Sequence, residues 1–173
     1  MAHALQPLIT TLFPCAQGIR LMEITIEDEA VRLPLTAPAP PAAGPRCAVS
    51  SASVQSRSQR PLTDLPWRTP AVPLQLAVRQ FFCRNSRGVR RMFTERLPAL
   101  VAAYARHTSQ LVTALRAIGL ALGGNAGARL AAHRRLPPSP APLLRLVRGA
   151  PLPPTPALQA VGVDAWAGRR GHR

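Results

Sequence analysis

Lysine is missing from this 173-residue chain and acidic residues are scarce: seven Asp and Glu stand against 22 basic residues, all arginine, giving a net charge of +15 and a sequence pI near 11.9. A chain so unbalanced binds polyanions by counterion release unless something masks its charge. The arginine bias also follows from GC-rich codons, so it does not by itself show selection for a bidentate grip on phosphate. Cysteine is sparse as well. Cys15, Cys47 and Cys83 are odd in number and widely spaced, which excludes a secreted disulfide framework and fits a reducing cytoplasm. Four Phe, two Trp and one Tyr are too few for a stacking platform that binds single strands. Arg116 interrupts the best apolar run, leaving none of the roughly 18 to 20 residues that cross a membrane. The N-terminal MAHALQPLITTLFPCAQG lacks a basic start and is broken by Pro7 and Pro14, so it makes a poor signal peptide. These absences predict a soluble, cytoplasmic protein.

Proline is abundant, 20 residues beside 11 glycines, and its clusters divide the chain. Met22, Ile24 and Ile26, then Val31, Leu33 and Leu35, alternate around Glu27-Asp28-Glu29, the period of two strands joined by an acidic turn. PLTAPAPPAAGP, residues 34 to 45, reads as a connector. Residues 72, 74, 76 and 78 alternate again, with Pro73 restricting that strand to an edge or a start. Trp67, Phe81, Phe82, Met92 and Phe93 are the candidates for a small core nearby. From Leu97 the pattern turns helical: Leu97, Leu100, Val101, Tyr104, Leu111, Leu115, Ile118 and Leu122 recur at three, four and seven, with Thr108 as an N-cap for a restart and Gly123-Gly124 as the stop. Residues 126 to 134, a proline-rich turn, and SPAPLLRLVRGA with Ser139 as cap and Pro140 at the first helical position then outline a helix-turn-helix. PLPPTP, residues 151 to 156, is a second linker, and LQAVGVDAW reads as the first strand of something new.

The expected fold is therefore α+β. It comprises an N-terminal β-hairpin region (1–39), a ribbon-like β region (40–93), a helical helix-turn-helix region (94–149), and a linker with a strand stub (150–173).

LFP (12–14), PRC (45–47), DLPW (64–67), RQFFC (79–83), FTERLPALVAAYARHT (93–108), LALGGNAGARLA (120–131), SPAPLLRLVR (139–148) and GVDAWAGRRGHR (162–173) occur in this order. That order resembles bacterial insertion-sequence transposases of the ISL-three type, built from a zinc ribbon, a helix-turn-helix and a DDE catalytic domain. The resemblance implies duplex DNA, at insertion-element ends, as the partner. It places Asp164 at the first catalytic carboxylate. Two-metal phosphoryl transfer needs several carboxylates from distant parts of a fold, so a lone Asp164 predicts no enzyme activity and an N-terminal fragment of such a transposase. It also implies that Cys47 and Cys83 are remnants of a C-x2-C and a C-x4-C zinc knuckle, whose other members fall at Gly44 and Gly88. Two thiolates leave a tetrahedral site half open, so no zinc is expected unless other ligands, such as Cys15 and His107, complete it. In the helix-turn-helix, Arg134 and Arg135 stand where an apolar and a small turn residue would be expected, and Pro138 and Pro142 crowd the turn. The arginines expected to meet DNA are Arg129, Arg134, Arg135, Arg145 and Arg148. The competing expectation is an inactive, partly folded product of a decayed mobile element, consistent with the absent ligands. Surface action as a cationic peptide is disfavoured by how few basic residues oppose the apolar stripe.

Overall fold

The structure is a computed structural model that describes residues 6–14, 18–27, 30–37, 41–67, 72–85, 91–136 and 139–151. Its elements are α1 (Gln6–Leu12), β1 (Arg20–Leu21), β2 (Thr25–Glu27), β3 (Ala30–Thr36), β4 (Ala42–Ala43), β5 (Ser50–Ser51), β6 (Val54–Thr63), β7 (Pro73–Phe82), β8 (Met92–Thr94), α2 (Ser109–His133) and α3 (Pro140–Arg148). The class is α+β, as the alternating and helical patterns predict.

The strands on either side of the acidic residues pair as expected: β2 and β3 are antiparallel with Glu27 opposite Ala30. Val31, Leu33 and Leu35 are buried, whereas Met22 and Ile26 on the preceding segment face solvent. β3 then pairs in parallel with β7, Leu33 opposite Leu74 through Thr36 opposite Ala77. One sheet and one core thus run across residue 39, because a parallel partner for β3 is supplied only after the chain has passed through β4, β5 and β6.

β7 is the central strand. β6 lines one side along its length, and β3 and then β8 line the other. Pro73 marks its start, opposite Thr63, where a missing N–H costs least. Alternation divides β7 between two faces. Leu74, Leu76 and Val78 point into the larger core with Ile9, Phe13, Ile19, Leu21, Leu33, Leu35, Leu62, Leu100 and Val101. Arg79 and Phe81 point to the other side, toward Phe93 and Glu95. The rings of Phe81 and Phe93 stack at 5.6 Å, and the Arg79 guanidinium lies 5.4 Å from the Phe81 centroid. Glu95, buried, accepts from Arg79 through its backbone N–H at 2.7 Å and through Nη2 at 2.7 Å. Of the predicted aromatic cluster, Phe82 and Met92 are instead about half exposed, and Trp67 packs against the larger core.

The predicted helical stripe begins later than its periodicity suggests. Residues 97 to 104 form turns, with Leu97, Leu100 and Val101 packed on the sheet core and Tyr104 81% exposed. The helix starts only at Ser109, where Thr108 is the N-cap and its side chain accepts from the Leu111 N–H. Gly123 stops the first helical run as its sequence predicts, at φ 70° and ψ −165°, a conformation open to glycine, so that α2 consists of two helices meeting at a kink. The kink turns the second half of α2 so that both halves contact α3. A smaller core of Leu111, Leu115, Ala131 and Leu143 results, flanked by Leu65, Leu136 and Leu146. α3 packs closely at Gly119, where a Cβ would lie 2.8 Å from Val147 Cγ2.

By length and composition α2 could cross a membrane, with a mean hydropathy of 1.3 over its best window. In this fold it carries the kink, the second core and the arginines Arg116 and Arg129.

Candidate nucleic-acid interface

The two halves of α2 and α3 lie where the sequence outlines a helix-turn-helix, and the hydrogen bonds that close α2 explain how arginine occupies its C-terminal end. The Arg135 N–H donates to Ala132 O at 2.9 Å and the Leu136 N–H to Ala131 O at 2.8 Å. These are the two reversed bonds that close a helix C-terminus, and they require a left-handed residue between them. Arg135 supplies it at φ 54°. Leu136 then packs into the smaller core beside Ala131. The small turn residue expected from the sequence is thus replaced by an arginine held in a glycine-like conformation.

Proline begins α3 without disrupting it. Ser139 is extended at the N-cap, without a side-chain cap bond, and Pro140 takes the first position, where no intrahelical N–H bond is lost. Leu143 is fully buried and Leu146 and Val147 are half-buried. At about 100° per residue, Ala141, Arg145 and Arg148 fall on the opposite, exposed face. Small Ala141 sits on the N-terminal half of that face, and the two guanidinium groups follow at spacings of four and three. Arg129, Arg134 and Arg135 are exposed on the second half of α2 and the turn. All five sequence-predicted arginines are therefore on one supersecondary unit and open to solvent.

A second basic concavity was not anticipated. A groove of about 970 Å³ runs between the β6 edge, β8 and the 95–106 segment, with Ser58, Arg60, Gln80, Arg96, Tyr104 and Arg106 in its lining. The Arg96 guanidinium stacks 4.7 Å from the Tyr104 centroid, while Tyr104 itself has φ 62°. Arg60 donates through Nη2 to the Ala105 carbonyl, fixing the loop to the sheet. No periodicity marks this assembly, because its members come from a polar edge strand and a turn.

The predicted zinc-knuckle remnants meet. β4 and β5 close a hairpin in which the Gly44 N–H donates to Val49 O at 3.0 Å and the Ala48 N–H to Gly44 O at 2.8 Å, with Ala48 left-handed at φ 56°. Cys47 sits in this turn. Cys83 continues the Arg79–Phe81 face just past β7, tied by its N–H to Arg91 O at 2.7 Å. The two Sγ atoms are 3.7 Å apart, half-buried. Gly44 adjoins them: a Cβ there would lie 2.7 Å from Cys47 Sγ and 3.7 Å from Phe93 Cδ1. Among the described residues no group of three or more His, Cys, Asp and Glu converges. His107 lies instead in a bridge beside Thr63. Cys15, Gly88 and Asp164 lie outside the described residues.

The two acidic residues buried among the described ones are both structural in their contacts. Glu95 is the partner of Arg79. Asp64 accepts from the Thr108 hydroxyl, at the point where the sheet hands over to α2. Burial pushes its carboxyl above the ordinary value of 3.8, against the opposing effects of the Thr108 and Leu65 hydrogen bonds.

Comparison with protein-family models, curated proteins and solved structures finds no match to this chain.

Proposed function

We propose that this chain is a non-catalytic duplex-DNA-binding protein of the kind that recognises the ends of insertion elements, and that it acts in the cytoplasm. The observation that carries the reading is the outer face of α3, Ala141, Arg145 and Arg148, exposed on a helix whose inner face is locked to α2 by Leu143. A rigid helix presenting a small residue and then guanidinium groups fits a major groove, where arginine reaches base edges and phosphates. Arg129, Arg134 and Arg135 extend the positive surface across the turn and meet the flanking backbone. The net charge of +15 adds long-range attraction for a polyanion. Support for an ancestry among ISL-three transposases is the ordered set of motifs together with the meeting of Cys47 and Cys83. DNA is held and not cut in this reading, since Asp64 and Glu95 are already committed to Thr108 and Arg79.

Fluorescence anisotropy with labelled duplex DNA, run at several salt concentrations, tests it. The logarithm of the binding constant should fall linearly with the logarithm of salt, and Arg145→Ala and Arg148→Ala should each flatten the slope by about 0.9 if each guanidinium neutralises one phosphate. Affinity indifferent to salt, or a double variant that binds as the parent does, would refute the proposal.

A further inference from the structure

The structure assigns Cys47 and Cys83 as a reversible disulfide site, a modification distinct from metal binding and independent of the DNA-binding proposal. Their sulfur atoms lie 3.7 Å apart, and closing to the roughly 2.05 Å of a disulfide needs a movement of under 2 Å. Both carriers are held by backbone hydrogen bonds. The Cys47 turn is closed by the Gly44–Val49 and Ala48–Gly44 bonds, and Cys83 extends the β7–β8 ladder through Arg91. The thiols therefore remain neighbours without needing a ligand to gather them.

The surroundings admit this chemistry. Glycine at position 44 leaves free the space that a Cβ would take 2.7 Å from Cys47 Sγ. Both cysteines are half-buried, so a small reagent can reach a sulfur while a second protein molecule is hindered. Phe93, whose ring stacks on Phe81, lies 3.7 Å from where a Cβ on Gly44 would be. A bond here would join segments 36 residues apart, fastening the β4–β5 turn over the Arg79–Phe81 face of the sheet. In this role the pair does covalently what a shared metal ion would do by coordination.

The oxidant is a low-molecular-weight disulfide, such as oxidised glutathione. One cysteine thiolate attacks a glutathione sulfur, the glutathione S–S bond breaks, and one glutathione thiolate leaves with the electron pair. The second cysteine, after losing its proton to solvent, attacks the protein sulfur of the mixed disulfide and expels the other glutathione thiolate. Two protein thiols are oxidised and one glutathione disulfide is reduced to two thiols, which take up the two protons.

The full chain, reduced and then equilibrated with oxidised glutathione, should yield a monomer lighter by two hydrogens, with a peptide map linking Cys47 to Cys83. Its thermal midpoint should rise by roughly 10 °C for a loop of this length, and dithiothreitol should restore the starting value. Cys15→Ser should form the same link. Cys47→Ser and Cys83→Ser should instead each retain a glutathione adduct on the remaining partner, and matching circular dichroism of the reduced proteins would show that these variants fold. Stable adducts on both cysteines of the parent, a link to Cys15, or intermolecular dimers as the main product would overturn the assignment.

Discussion

Asp64 shows how much a single side chain can settle. Its carboxylate is buried and meets the Thr108 hydroxyl, which in turn accepts from the Leu111 N–H. One short chain of hydrogen bonds thus ties the end of the sheet to the first turn of α2. Burial raises the Asp64 carboxyl above 3.8 in the folded state. The folded form consequently holds its proton more tightly than the unfolded form, so the resulting stability is whole below 3.8 and drains away as pH climbs through the raised value. Asp64→Asn keeps an oxygen that can accept from Thr108 but removes the titration. Urea denaturation should show the variant gaining stability relative to the parent as pH rises from 3.8 through the raised value, with the difference level above it. A difference that shrinks with rising pH would show that the carboxylate is favoured by its site.

At the scale of elements, the α2–α3 turn carries a strained residue that glycine would relieve. A left-handed conformation costs a non-glycine residue about 1–2 kcal/mol, part of which glycine returns through its greater freedom in the unfolded chain. Arg135→Gly should therefore stabilise the protein by about 0.5–1 kcal/mol in chemical denaturation, and under the proposed function it should slightly weaken DNA binding through the lost charge. A loss of stability would mean that the arginine side chain contributes more than its backbone conformation costs. Elements with strong periodicity were legible in the sequence: the β2–β3 pairing, the buried alternation of β7, Thr108 as a cap and the Ser139–Pro140 start of α3. β6 was not, because VQSRSQRPLT is polar along an edge strand and its pairing is fixed by β7, not by its own pattern. The stripe from Leu97 to Leu122 misleads for a related reason. Leu97, Leu100 and Val101 do reach an apolar core, but it is the sheet's, and they reach it from turns. The five arginines proposed from the helix-turn-helix outline all lie exposed on α2, α3 and the residues between them, whereas the Arg60, Arg96 and Arg106 groove needed tertiary structure to bring its sides together.

For the molecule as a whole, the question is whether two cores behave as one folding unit. The sheet core and the α2–α3 core are centred on different residues, yet a narrow latch joins them. The Thr63 N–H donates to Arg106 O at 2.9 Å, the Thr108 N–H to Thr63 O at 3.0 Å, and Gln110 Nε2 to Leu12 O at 2.7 Å. Leu65, directly after Asp64, packs into the helical core. Thr108 is the side chain common to the cap and the Asp64 contact, so Thr108→Val removes the cap acceptor and leaves Asp64 without its hydroxyl partner. The cost should be about 2–3 kcal/mol, combining a lost cap with the loss of one hydrogen bond to a buried carboxyl that keeps its Leu65 contact. If the latch transmits cooperativity, amides of β7 and α2 in the parent should exchange through the same global opening. In Thr108→Val, α2 should lose protection well before β7 does. Equal loss in both elements would place the coupling in apolar contacts such as Leu65, whose packing would then hold the two cores together without the hydrogen-bonded latch.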